Sequence, residues 1–172
     1  MDGFSFQPPA AGDRSSTSVI LQREAHFGDN NGRNATTAEA MTTNGQTVGV
    51  TFHLAYPPAV SYFCVHGPGL GCEDFNGAPE VVSSEKNLIL LRMNRRSGPR
   101  IPSSTTSGYP YRVLDEYFIY KAARGKSTLR LILTPRTEYT NQSICILPRD
   151  DFDEEFLLAD LVGTCSIMEY QL

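Results

Sequence analysis

The sequence predicts an all-β fold built from short antiparallel strands, and three observations lead to it. Apolar and polar residues alternate in short runs, most clearly at 47–54 and 128–133, so that a period of two turns one face toward a core. Turn formers bound these runs, drawn from 14 Gly and 11 Pro in 172 residues. Outside 150–162 no segment carries a convincing helical period. A propeller-like fold or partial propeller is the leading architecture, with a β-sandwich as the alternative.

Taken in order, residues 1–16 lack apolar periodicity and carry Pro8-Pro9, Gly12 and a Ser cluster, so they read as a flexible leader ahead of a single domain over 17–172. Val19-Ile-Leu is a short strand. Residues 28–46 are a polar loop that closes on the Asn44-Gly45 turn signal. From Thr47 to Leu54, Val48, Val50, Phe52 and Leu54 share one face while Gly49, Thr51 and His53 share the other. Pro57-Pro58 breaks the run. Ala59 to His66 resumes it with apolar residues on both faces, as suits a strand inside a sheet. Pro79–Val82 and Asn87–Met93 are further strands, the second a buried run. Residues 94–112 read as a long loop. Glu116–Lys121 and Thr128–Leu133 form a hairpin around Gly125-Lys126. Ser143–Leu147 is a strand. At 150–162, Phe152/Phe156 and Leu157/Leu161 fit a helix, while Phe156-Leu-Leu-Ala fits a buried strand, which is the preferred reading. Residues 166–172 alternate and form a last strand.

Composition narrows the function. Fifteen Lys and Arg against 19 acidic residues give a formal net charge of −4, which disfavours general nucleic-acid binding. Four Cys are too few for a disulfide scaffold and read as reduced thiols. The longest apolar runs, Leu88-Ile-Leu-Leu91 and Ile144-Cys-Ile-Leu147, fall far short of the ~20 residues of a membrane helix. The N-terminus lacks the basic and apolar regions of a secretory signal, so the expected location is cytoplasmic or nuclear and the sequons at Asn34 and Asn141 are expected to stay unused.

Several blocks occur together in a recognisable order. Arg33-Asn-Ala-Thr-Thr-Ala precedes Val50-Thr-Phe and then Pro57-Pro-Ala-Val-Ser-Tyr-Phe-Cys-Val-His66, followed by Pro68-Gly-Leu70. Leu88-Ile-Leu-Leu-Arg92, Glu116-Tyr-Phe-Ile-Tyr120, Ser127-Thr-Leu-Arg-Leu, Ile144-Cys-Ile-Leu-Pro148 and Phe156-Leu-Leu-Ala-Asp-Leu161 follow. Over about residues 18–172 the chain resembles a plant family expanded in grasses, the domain of unknown function number 1618. The Val-Ser-Tyr-Phe-Cys-Val-His block is the most specific match. The resemblance implies a plant protein with a propeller-like fold and no established activity, and it supplies no catalytic residues. Members of that family are longer, so the resemblance implies a truncated member.

Motifs that would carry chemistry are weak. Cys64, His66 and Cys72, with His53 as a conceivable fourth ligand, sketch a zinc or small-ligand site but lack the paired cysteines of a usual zinc site. Gly67-Pro-Gly-Leu-Gly71 has no Lys-Ser/Thr after it and reads as a turn rather than a phosphate loop. No nucleophile elbow is present, and no enzyme activity or cofactor is expected.

The expected function is therefore binding. The module contacts another protein, which it sequesters or neutralises in the manner of an antidote. The candidate partner is a related family member or a harmful protein, and open strand edges also permit a homo-oligomer. No membrane contact is expected. The candidate contact residues are Arg95, Arg96, Arg100, Tyr109 and Tyr111 in the 94–112 loop, Asp150, Asp151, Asp153, Glu154 and Glu155 in the acidic run, and Ile167, Met168, Tyr170 and Leu172 on the last strand. A degenerate remnant with no function of its own is a further alternative.

Overall fold

The computed structural model describes residues 4–6, 18–28, 32–97, 112–132, 144–148, 155–160 and 166–171. Their regular structure is β-strand apart from single helical turns, so the chain is all-β. The first sheet holds β1 (Phe4–Phe6), β2 (Val19–Leu21), β3 (His26–Phe27), β4 (Ala38–Met41), β5 (Thr47–His53) and β6 (Val60–His66). Its order is β1-β2-β6-β5-β4, and β3 pairs with β6 beyond β2. The second sheet is a meander of β7 (Glu80–Glu85), β8 (Leu88–Ser97), β9 (Arg112–Lys121) and β10 (Thr128–Ile132). The third is a meander of β11 (Ile144–Pro148), β12 (Glu155–Asp160) and β13 (Ser166–Gln171).

Pairing is antiparallel except where β2 and β3 run parallel to β6. Between those two strands the chain jogs away from β6 and bonds the second sheet instead. Ala25 N–H donates to Pro79 O and Val81 N–H to Arg23 O, at 2.8 and 2.9 Å.

Two apolar cores separate the three layers. Val48, Val50, Phe52, Phe63 and Val65 of the first sheet meet Ile89, Leu91, Met93, Phe118 and Tyr120 of the second. Leu88, Leu90, Tyr117 and Ile119 leave the opposite face of the second sheet and meet Ile144, Ile146, Phe156 and Leu158 of the third. The second sheet is covered on both faces, which is why β8 and β9 read as unbroken apolar runs. Sheets stacked in chain order, two of them meanders, suit a partial propeller and equally a layered sandwich.

Three expectations change. Phe4–Phe6, inside the expected leader, forms β1 and pairs with Val19–Leu21. The polar loop 28–46 contains β4, whose Ala and Glu carry little strand propensity. Pairing with β5 across the Asn44-Gly45 turn makes it a strand. Residues 94–97 and 112 are not loop but extend β8 and β9, paired from Leu88↔Lys121 out to Ser97↔Arg112. β6 lies inside the sheet as expected, with Ser61, Phe63 and Val65 on its core face and Val60 and Tyr62 exposed. The strand preferred within 150–162 is observed over Glu155–Asp160 as β12, the rest of that segment lying outside the described residues.

Candidate functional site

The sheet edges differ in how they are closed. The edge of β7 is bonded by the jog at 23–25. The edge of β11 lies against β7, where Ile146 N–H reaches Ser83 Oγ at 3.3 Å. Part of the edge of β5, beyond the end of β4, is closed by side chains. Phe52 N–H donates to Thr36 Oγ1 at 2.8 Å and Phe52 O accepts from Asn34 Nδ2 at 2.9 Å. Thr36 N–H donates back to Asn34 Oδ1 at 2.7 Å, so both the nitrogen and the oxygen of the Asn34 amide hold this turn. The same turn reaches the second sheet, where Tyr120 O–H donates to Thr36 O at 2.6 Å. Burial pushes the Tyr120 phenol up, and it stays a neutral donor.

Among the described residues β13 shows no such closure. It pairs with β12 from Glu155↔Gln171 to Asp160↔Ser166, and among the described residues no strand pairs with its other edge. Its sequence, Ser-Ile-Met-Glu-Tyr-Gln, contains neither Pro nor Lys, the residues that commonly guard an edge. Ile167, Met168 and Tyr170 lie on this strand. Glu155 opens β12 beside it. Leu172, Asp150, Asp151, Asp153 and Glu154 lie outside the described residues, as do Arg100, Tyr109 and Tyr111.

The described arginines of the basic run Arg92, Arg95, Arg96 and Arg100, the first three, do not form one surface. Arg92 pairs with Glu80, which also holds Arg23. Arg96 is exposed and donates to Glu73 O at 3.1 Å. Arg95 turns inward and is only 4% exposed. Its Nη1 donates to Asn44 Oδ1 at 3.0 Å and lies 3.6 Å from Glu116 Oε2, and its Nη2 donates to Gln46 Oε1. Glu116, 3% exposed, accepts from Thr43 N–H at 2.7 Å and from Thr43 Oγ1 at 2.5 Å. The pair therefore fastens the 43–46 turn of the first sheet to β8 and β9. Arg95 is a structural latch rather than a docking residue. Its place in a strand with inward parity, two residues after Met93, is the signal that could have shown this.

All three histidines of the chain lie on the outer face of the first sheet. His53 stacks on Tyr62 with ring centroids 4.7 Å apart, and His26 meets Tyr62 edge-on at 5.3 Å. His66 is buried, 3% exposed, in a slot that Gly49 leaves open across the strand pair. His66 Nε2 and Thr51 Oγ1 are 2.9 Å apart, Thr51 Oγ1 and Thr37 Oγ1 are 2.8 Å apart, and Asn34 N–H donates to Thr37 Oγ1 at 2.9 Å. His66 Nδ1 is buried without a hydrogen-bond partner. Burial and then the Arg33 guanidinium hold this imidazole below its usual range, so it is neutral at pH 7. Burial also pushes the Cys64 thiol up, away from the thiolate a metal or nucleophilic site needs. Cys72 sits apart on an exposed 3-10 turn, with its thiol turned to Glu73. Among the described residues no group of His, Cys, Asp and Glu is arranged to hold a metal ion. The alternation at 47–53 and 60–66 shows that these residues share a face. The Thr37 link depends on the neighbouring turn and carries no signal in the sequence.

No protein-family profile, curated protein or solved structure matches the chain. The geometry of its edges and faces is therefore what speaks for its function. No helix among the described residues is long and apolar enough to cross a membrane.

Proposed function

We propose that this chain is a non-enzymatic interaction module that binds another polypeptide by strand addition along β13. The observation that carries the reading is that, among the described residues, nothing pairs with the outer edge of β13, whereas the edges of β7, β11 and part of β5 are bonded, packed or capped. An open edge offers a row of backbone donors and acceptors, and a partner strand completes the ladder while its alternate side chains supply specificity. Sequestering or neutralising the partner follows when the strand captured is one the partner needs. A related chain, a member of the plant family that the sequence resembles, is the partner proposed first, because strands of similar pattern present matching registers. The setting proposed is cytoplasmic or nuclear.

The test compares the intact chain with Met168→Pro, which removes one backbone donor and bends the strand. Both are used as baits in an extract of a grass seedling, and captured proteins are ranked by recovery. A protein held by the intact chain, lost by Met168→Pro and shown by hydrogen exchange to protect β13 supports the proposal. Equal recovery by the two baits, with β13 unprotected, sinks it.

A further inference from the structure

The turn 34–37 closes one edge of β5 and also receives Tyr120 from the second sheet, so it is a junction between two layers. Its link to the outer face is the chain Thr37–Thr51–His66. Thr37 Oγ1 already accepts from Asn34 N–H. A consistent direction then runs from His66 Nε2–H to Thr51 Oγ1, and from the Thr51 hydroxyl to Thr37. That arrangement leaves Nδ1 as a bare, buried acceptor over Gly49, where a Cβ would stand 2.7 Å from it.

We propose that this chain is an acid-sensitive fastening: protonation of His66 releases the 34–37 turn from β5 and from Tyr120. The added proton would sit on Nδ1, which has no acceptor and no water access, and an unpaired buried charge is strongly disfavoured. The charged ring must leave its slot, and it takes the Thr51 bond with it.

The groups around the ring favour this outcome. Arg33, from the segment leading into the turn, opposes a second positive charge, though it is partly balanced by its ion pair with Glu39. Glu39 of β4 faces Gly49 in the same cross-strand row as His66. Cys64 of β6, two residues from His66, stays a neutral thiol. His26 of β3 pairs with Cys64 and lies further along the face, and His53 of β5 lies beyond Thr51. Among the described residues no carboxylate hydrogen-bonds to the ring to receive it in its charged form. Release would uncover the Phe52 N–H and C=O as a second pairing point. The inference is independent of strand addition at β13, since it concerns a different sheet and edge.

Amide exchange of the full chain, followed by NMR at pH 7.5 and 5.5 and corrected for intrinsic rates, tests it. The Phe52 amide and those of 34–37 should lose protection by about tenfold for each pH unit below the ordinary imidazole value of ~6.5, while Leu90 and Phe118 keep theirs. His66→Gln, which keeps a donor for Thr51 but cannot gain a charge, should abolish the acid response. If that variant fails to fold, Thr37→Val serves instead and should leave the turn exchanging fast at both pH values. A control lacking His26 and His53 should respond as the intact chain does. Unchanged protection of the turn at pH 5.5 overturns the proposal, as does an acid response that persists in His66→Gln.

Discussion

At Gly49 a single methyl group decides the fit of the outer face. A Cβ there would lie 2.3 Å from His66 Cε1, so Gly49→Ala must displace the ring and its bond to Thr51. Overpacking of this kind costs about 1–3 kcal/mol, and urea denaturation should show a lower midpoint at unchanged slope. His66 also gives the fold a pH dependence with a definite sign. Its folded value is depressed, so the unfolded chain binds the proton more readily. Its contribution is fully present above the unfolded value of ~6.5 and is lost as pH falls through the folded value. Stability measured by denaturant from pH 8 to 5 should be flat and then decline, and His66→Gln should remove that component of the decline. The latch at Arg95 is the other residue whose loss is costly. Glu116→Leu leaves Arg95 buried and uncompensated, at a cost of about 3–5 kcal/mol. Adding Arg95→Met to that variant should recover much of the loss, which a double-mutant cycle would measure.

The second sheet makes its prediction at the level of the element. β8 faces one core with Leu91 and the other with Leu90, both fully buried. Leu90→Ala and Leu91→Ala should therefore destabilise by similar amounts, about 2–5 kcal/mol each. A nearly neutral result for either would mean that one face is open. The same elements show what a sequence can reveal. The alternation in β5 was legible because its core face is apolar while Gly49 and Thr51 on the other face, buried as well, are small or polar, and that of the Thr128 strand because Thr128 and Arg130 stay exposed. The run in β8 was legible as a buried strand and Glu116–Lys121 as a hairpin strand, but not their extension to Ser97 and Arg112, where polar residues replace apolar ones. β4 was illegible because its partner, rather than its own residues, makes it a strand. Arg95, Arg96 and Arg92 looked like a cluster in one dimension. Alternation along β8 sends Arg95 inward, and acidic or carbonyl neighbours take up the other two.

For the whole molecule the decisive feature is how three layered sheets close their edges. Two cores tie the layers together, and among the described residues no strand pairs with the outer edge of β13, the edge at which strand addition is proposed. Light scattering after size exclusion should show a species near 19.0 kDa for Met168→Pro, whatever the intact chain forms by edge pairing. A dimer of the intact chain that persists in Met168→Pro would place self-association on another surface. The sequence by itself determined the all-β class and most strand positions, because alternation and turn formers act locally and need no partner to be read. It also located the last strand as a candidate edge. The tertiary structure alone decided which faces are covered, that Arg95 and Glu116 join two sheets, and that Thr37 meets Thr51 and His66. Those relations arise between residues far apart in the chain, and a local pattern of hydrophobicity holds no information about what packs against it.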